Sequence, residues 1–434
     1  MLDQRRRFRQ TCRMIRPRAL RKGFWFIGLA LIGAFGLGSY HWYMGTGPFS
    51  PPKQLLTKDQ LAMVLSDSAS FYRFPGELEL PLLNQEPIQA VVQYAFDPRL
   101  QDEMENLFRS YRPDFGAFVA IDATTGRVLS MVSFSEKNKL QDNLALRATF
   151  PSASIFKVVT AAAAIEKAKY SADTIISFNG SNHTLYKSNV LKTSHTRWTR
   201  SMTLREAFGK SVNTVFGKIG ATLGPTELKL YADRFGFNRR IGADFPLQEG
   251  RAAIPNDPLD HFELAESASG FTRDNTMSPL QGALIAAAIA NDGRMMEPYV
   301  VQSVFTQDGA KIYSAEPAIA MQAVDEETAL EIRELMKQTI TRGTSRKAFH
   351  NFFKKKYAAL DVGGKTGTLS GNDPKGKYDW FVGYANGGTH KVAFAALAIN
   401  EKFWRVKASY LARKGMEIYF ADKLGEQQIA KLEP

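Results

Sequence analysis

The sequence predicts an α+β fold, with an antiparallel five-stranded sheet flanked by helices, a mainly helical lobe beside it, and an N-terminal transmembrane helix ahead of both. The order of patterns along the chain predicts the sheet and lobe. Two strand-like runs come first, helical patterns fill the middle, three strand-like runs follow, and a helix closes the series. The early strands are expected to complete one sheet with the late ones. The terminal helices would then cover one face, with a cleft between sheet and helical lobe. The transmembrane helix rests on charge. Residues 1–22 hold nine Lys and Arg against Asp3 alone, eight of the net +13, while residues 23–52 contain no Asp, Glu, Lys or Arg.

Residues 23–44 are apolar or small, about the 20 residues that cross a bilayer core, and Trp25, Tyr40, Trp42 and Tyr43 suit its two interfaces. The basic flank is expected to stay cytoplasmic, which puts everything after residue 45 on the outer, periplasmic side of a bacterial cytoplasmic membrane. No convincing small-x-small cleavage site follows the apolar run and its aromatic end argues for retention, so an anchor is favoured over a cleaved signal peptide. Cys12, the single cysteine, falls on the cytoplasmic side and excludes a disulfide framework. The six histidines never stand at i, i+4, so no zincin helix exists. The basic balance is a topogenic signal beside a membrane span rather than a nucleic-acid footprint. ATP and nicotinamide cofactors are not expected outside the cytoplasm.

Pro48, Pro51 and Pro52 with Gly47 mark an exit linker over 46–52, and residues 54–90 predict a weak amphipathic helix and an irregular stretch. Asp97-Pro98 opens a helix with Leu100, Met104, Leu107, Phe108 and Tyr111 on one face. Residues 117–121 and 127–132 predict a hairpin around Gly126. Helices are expected at 154–169, 204–223, 226–235, 279–290 and 326–341, the last between an Asp325 cap and Gly343. Strands are expected at 363–369, 379–384 and 391–399, then a final helix at about 408–424.

Chemistry concentrates in three short motifs. Ser154-Ile155-Phe156-Lys157 opens a helix, and its spacing of three brings the Ser hydroxyl and Lys amine to one face. A desolvated, neutral lysine can take the proton that makes serine a nucleophile. Alone the motif is weak, arising by chance about once or twice in such a chain, with a capping serine and a snorkelling lysine as the plain alternative. Ser211-Val212-Asn213 follows a helix-like run. Its serine can relay a proton and its amide can hold a peptide backbone. Lys365-Thr366-Gly367-Thr368 lies on a strand, where lysine offers a positive charge for a carboxylate and Gly367 admits a second backbone. Gly364-Lys365-Thr366 also ends like a phosphate loop, but Ala359 stands where that loop needs glycine.

In this order, on helix start, inter-helix loop and edge strand, the three motifs resemble those of the penicillin-recognising serine enzymes, the penicillin-binding transpeptidases and serine β-lactamases. The resemblance extends to the hairpin at 116–133, Met202-Thr203-Leu204-Arg205-Glu206-Ala207-Phe208, Ser278-Pro279-Leu280-Gln281, Thr341-Arg342-Gly343-Thr344 and Trp380-Phe381-Val382-Gly383-Tyr384, covering about 90–420. Pro151-Ser152-Ala153 replaces the Pro-Gly that often precedes the family's nucleophile. The resemblance implies a domain layout of basic tail (1–22), anchor (23–44), linker and short membrane-proximal segment (45–90) and transpeptidase domain (91–434). Residues 45–90 are too few for the glycosyltransferase or large pedestal that relatives carry there, so a separate glycosyltransferase partner is an expectation.

The implied chemistry is acyl transfer. Ser154 would attack the carbonyl between two D-alanines of a peptidoglycan stem peptide, with Lys157 as general base. Backbone N–H groups of Ser154 and Thr368 would form the oxyanion hole. Ser211 would pass a proton to the departing amine, Asn213 would align the peptide, and Lys365 with Thr366 and Thr368 would hold the terminal carboxylate. An amine from a neighbouring strand would then resolve the acyl-enzyme, and β-lactams would be covalent inhibitors. Water as acceptor, giving a D,D-carboxypeptidase or β-lactamase, and a non-catalytic penicillin-binding scaffold are the alternatives. No cofactor, metal or nucleic acid is implied.

Overall fold

The computed structural model describes residues 56–67, 74–80, 87–136, 142–192 and 195–430, all within the unit that begins at Leu56. The expected basic tail, membrane span and exit linker lie outside the described residues. Among the described residues, no helix is long and apolar enough to cross a membrane.

Strands β1 (Phe115–Asp122) and β2 (Val128–Ser135) form the expected hairpin. Asp122 Oδ1 accepts the N–H groups of Thr124 and Thr125 in its turn, and Gly126 takes φ +82°. The later strands β3 (Asp361–Asn372), β4 (Lys375–Gly387) and β5 (His390–Asn400) complete one antiparallel sheet in the order β3-β4-β5-β1-β2. Strand parity explains how this sheet divides the interior. Ala117, Val119 and Ile121 of β1 and Ala393, Ala395 and Leu397 of β5 belong to one core; Phe118, Ala120, Phe394 and Ala396 belong to the other. A sheet buried on both faces reads as continuous apolar runs, which is how β1 and β5 look in sequence.

The helices that frame the site are, in chain order, α1 (Pro98–Tyr111), α2 (Lys157–Glu166), α3 (Asn213–Arg234), α4 (His261–Ser269), α5 (Pro279–Ala290), α6 (Glu326–Thr341) and α7 (Ala408–Ala430). Asp97 caps α1 by accepting the Leu100 N–H at 3.0 Å. Leu100, Met104 and Phe108 of α1 share the outer core with Leu411, Met416 and Phe420 of α7, so the terminal helices cover one face as expected. The all-buried α5 lies against β4 and β5 on the opposite face. Helices α2, α3 and α4 make the lobe, and α6 packs against both α2 and β3.

Several boundaries differ from the sequence expectation. The helix expected from 154 begins instead as a 3-10 turn, Ala153–Phe156, followed by α2. The expected helix 204–223 is two elements, Leu204–Gly209 and α3, because Ser211 adopts φ +57° between them. The expected helix 226–235 is the far part of α3, which kinks at Gly224-Pro225 where φ and ψ leave the helical region. Residues 56–94 contain the expected helix, Lys58–Asp67, but also strands Glu77–Leu80 and Ile88–Tyr94. These join Val301–Thr306 and Lys311–Ser314 in a second, four-stranded sheet. The buried Asp244 carboxylate fastens this sheet by accepting the N–H groups of Val300 and Val301, each at 2.9 Å.

Candidate active site

Ser154 sits inside the 3-10 turn that leads into α2. Its approach is held from both sides: Ser152 N–H donates to Asn275 O at 2.7 Å, and Trp380 Nε1 of β4 donates to Pro151 O at 3.0 Å. Ala153, immediately before Ser154, carries φ +47°, a conformation that costs an L-residue about 1–3 kcal/mol and is kept only where its surroundings enforce it. Gly270 makes that packing possible. A Cβ on it would stand 1.8 Å from Ala153 O, and its own φ is +64°. On the other side Gly367 of β3 passes so close that a Cβ would meet Ala153 Cβ at 3.2 Å and Ser152 O at 3.3 Å. The edge strand therefore lies directly along the turn that presents Ser154.

Lys157 is fully buried at the first turn of α2. Its Nζ donates to Ser154 Oγ at 2.8 Å, to Asn213 Oδ1 at 2.7 Å and to the Ser269 carbonyl. Neither part of the capping-and-snorkelling alternative holds, since Lys157 has no route to solvent and Ser154 Oγ is engaged by its amine. Burial, reinforced by the Lys365 charge nearby, pulls the Lys157 ammonium well below its ordinary range. A neutral amine within hydrogen-bond reach of a serine hydroxyl is a base placed to activate a nucleophile.

Ser211 occupies its left-handed position between Leu204–Gly209 and α3. A capping box of Thr203 and Glu206 fixes the start of the first helix. Lys365 reaches Ser211 from β3, its Nζ 3.0 Å from Ser211 Oγ and 2.9 Å from the Thr366 carbonyl. Lys365 too is fully buried, and burial alone pulls it down to about 7. The positive charge expected at this position is therefore poised to titrate near neutrality rather than being permanent. Both amines lie over aromatic rings that desolvate them, Lys157 Nζ 5.8 Å from the Phe216 centroid and Lys365 Nζ 5.4 Å from that of Phe208. The two rings meet edge to face with centroids 6.0 Å apart.

Asn213, first residue of α3, makes one hydrogen bond from each end of its amide. Oδ1 accepts from Lys157 and Nδ2 donates to the His183 carbonyl at 2.9 Å. In this arrangement it orients Lys157. Thr366 Oγ1 is 2.6 Å from Thr344 Oγ1, and the Thr344 N–H donates to the Gly209 carbonyl at 3.1 Å, which ties the end of α6 to the Ser211 turn. Ser154, Ser211, Asn213, Thr366 and Thr368 line one cleft of about 730 Å³, together with His183, Thr344 and Phe271. The structure thus brings all eight expected residues to one place: Lys157 and Lys365 beneath the cleft, Gly367 at the strand-to-turn contact. His183, Ser269 and Gly270 were not singled out from sequence. The first two act through main-chain carbonyls, which carry no residue signature.

A serine beside a buried amine, a second serine–lysine pair and an open edge strand are the parts that serine acyl transfer needs. Residues 116–416 match the penicillin binding protein transpeptidase domain family, and the chain belongs to it. It is 30% identical over 319 residues to the peptidoglycan D,D-transpeptidase PbpA of Mycolicibacterium smegmatis, covering 66% of this chain and 62% of that protein. The PbpA of Mycobacterium tuberculosis is 29% identical over 350 residues, 73% of this chain and 68% of the relative. The match therefore spans somewhat less than two thirds of the first relative's length and just over two thirds of the second's. Among solved structures, the penicillin G acyl-enzyme complex of M. tuberculosis penicillin-binding protein A superposes with a TM-score of 0.60 at 26% identity. That superposition covers 79% of this chain and 82% of the other.

Proposed function

We propose that the protein is a membrane-anchored peptidoglycan D,D-transpeptidase that is acylated at Ser154. The observation that carries this reading is the 2.8 Å contact between Ser154 Oγ and a Lys157 amine that burial keeps well below its usual pKa. Lys157 takes the hydroxyl proton as Ser154 forms its bond to the carbonyl between two D-alanines. Backbone N–H groups of Ser154 and Thr368 receive the oxyanion. Ser211, whose Oγ is held by Lys365, relays that proton from Lys157 to the departing amine. Asn213 aligns the peptide as well as orienting Lys157, while Lys365, Thr366 and Thr368 hold the terminal carboxylate with Gly367 leaving room. An acceptor amine then attacks the ester and regenerates Ser154. Penicillin acylates the same serine, as the likeness to a penicillin G acyl-enzyme supports. Residues 1–22 form the cytoplasmic tail and 23–44 the anchor, so the cleft works outside the cytoplasmic membrane on stem peptides supplied with a glycosyltransferase partner.

Intact-protein mass spectrometry after penicillin exposure tests this directly. A mass rise of one whole penicillin, persisting for hours, is the expected result. Rapid loss of the adduct would make the protein a β-lactamase, and no adduct would remove the acyl-enzyme reading. A chain starting at residue 46 is expected to remain in the supernatant after ultracentrifugation and still to form the adduct. Sedimentation with membranes would show that 23–44 is not the anchor.

The two lysines also set a pH dependence. Below about 7 Lys365 is charged and captures a ligand carboxylate; as pH rises through about 7 in the free protein that charge is lost and capture weakens. Lys157 titrates in the opposite sense for function, because acylation needs it neutral and falls when acid protonates it. Second-order acylation rates measured across pH with a carboxylate-bearing β-lactam and its neutral ester should differ on the alkaline side. Identical profiles would remove Lys365 as the clamp.

A further inference from the structure

One surface of the helical lobe departs from the rest of the chain in composition. Residues 174–205 carry Lys187, Lys192, Arg197, Arg200 and Arg205 and no Asp or Glu. Arg205 pairs with Asp173 at 2.7 Å, but among the described residues the other four meet no carboxylate. Large apolar side chains lie open beside them. Trp198 is 71% exposed, Tyr186 58% and Leu191 44%, and Ile175 is 71% exposed on the adjoining strand. One hairpin and one short helix carry this face. Strand Ile175–Phe178 pairs with Arg200–Thr203, and helix Lys187–Leu191 packs so close to Gly180 that a Cβ there would stand 2.6 Å from Asn189 Nδ2. Arg200 donates to the Gly180 carbonyl at 2.5 Å, which holds the end of the hairpin against the helix. The Arg197 guanidinium lies 4.8 Å from the Trp198 ring centroid, so cation and ring present themselves together. The root of this face is the wall of the catalytic cleft. The Asn182 carbonyl accepts the Asn213 N–H at 2.8 Å, and the His183 carbonyl accepts Asn213 Nδ2 at 2.9 Å.

We propose that this face docks on the anionic phospholipid surface of the membrane that holds the anchor. The proposal rests on the anchored reading above. Trp and Tyr rings settle at the headgroup level, aliphatic side chains at the acyl boundary, and Lys and Arg against anionic head groups. A soluble polyanion would meet the cations and lie on the rings, but it offers nothing to Leu191 or Ile175. Reach favours lipid over an acidic protein. Only eleven residues, 45–55, separate the 23–44 segment from Leu56, and fully extended they span about 40 Å. A leaflet held that close is present at high effective concentration, so a contact too weak to form between free partners forms here. Docking then fixes the height of the cleft above the bilayer through the Asn182 and His183 contacts.

The test places the full-length protein in nanodiscs of anionic or of zwitterionic lipid and follows amide hydrogen exchange by mass spectrometry. Residues 186–192 and 195–200 are expected to exchange about tenfold more slowly in the anionic discs, and high salt to remove most of that protection. Two variants divide the contributions. Lys187→Glu/Lys192→Glu/Arg197→Glu reverses the charge, and Leu191→Ser/Trp198→Ser removes the apolar contact. All five side chains are exposed, so both variants are expected to keep the wild-type thermal midpoint and penicillin acylation. Each is expected to lose the protection in anionic discs. Equal exchange in both discs, or protection that survives the charge reversal, overturns the proposal. Loss in the charge variant alone, or equal protection by polyglutamate in detergent, overturns the lipid assignment and leaves a basic patch that takes any polyanion. Co-elution with zwitterionic discs reports the anchor separately. Entry without protection in anionic discs rejects the docking face alone, and failure to enter either disc rejects both.

Discussion

Ser154→Ala is expected to abolish the penicillin adduct while leaving the domain folded. On the proposed acyl-transfer reading Ser154 Oγ acquires the acyl group, and no other group in the cleft replaces it. Its structural contribution is small, because Ser154 does not cap the 3-10 turn. It accepts one bond from Lys157, and that amine keeps Asn213 Oδ1 and the Ser269 carbonyl. Losing one such bond costs about 1 kcal/mol, well within what a domain of this size tolerates. Mass spectrometry and a thermal melt on the same sample separate the two effects. Wild-type adduct levels in this variant would place the nucleophile elsewhere.

Lys157→Met is expected to slow acylation at saturating penicillin by about 10²- to 10⁴-fold, the range over which a positioned base contributes. Methionine keeps most of the buried volume, so the comparison is cleaner than with alanine. It still removes the donor to Asn213 and Ser269, and stability should fall by about 1–3 kcal/mol. The rate is the decisive readout. A base lost from the chemical step lowers the limiting rate constant, whereas a residue that only shapes the cleft raises the ligand concentration needed to reach it. An unchanged limiting rate would remove Lys157 as the base.

The three motifs were legible because their chemistry needs fixed residue types at fixed spacing. Ser154 and Lys157 are three apart, and the turn that carries them closes that spacing into a hydrogen bond. The central sheet was legible for a different reason: five apolar runs have nowhere to go but a shared interior. Less visible were features whose cause lies far along the chain. Ser211 takes a left-handed backbone that serine rarely adopts, so nothing local announced the break in the expected helix 204–223. Ile88–Tyr94 alternates as a half-buried strand should, with Ala90 and Val92 inward. Its partner Val301–Thr306, however, comes some two hundred residues later, and pattern alone does not name a partner. The ring beneath Lys365 Nζ is that of Phe208 and the hydroxyl it reaches is that of Ser211, both far from it in sequence.

The sheet order also sets a timetable for synthesis. Strand β1 has β2 on one side from the moment the hairpin emerges, but its other neighbour is β5, from His390 onward. At roughly 5–20 residues per second, the intervening stretch of about 270 residues takes roughly 15–50 s to make. Throughout that interval the nascent chain carries an unpaired, apolar strand edge, the kind of surface that seeks a partner in another copy. A holdase that covers residues 115–135 until the last strand arrives would be more valuable to this protein than to one whose strands pair as they appear. Ribosome-bound chains halted before residue 390 should accordingly be the most aggregation-prone species in its biogenesis.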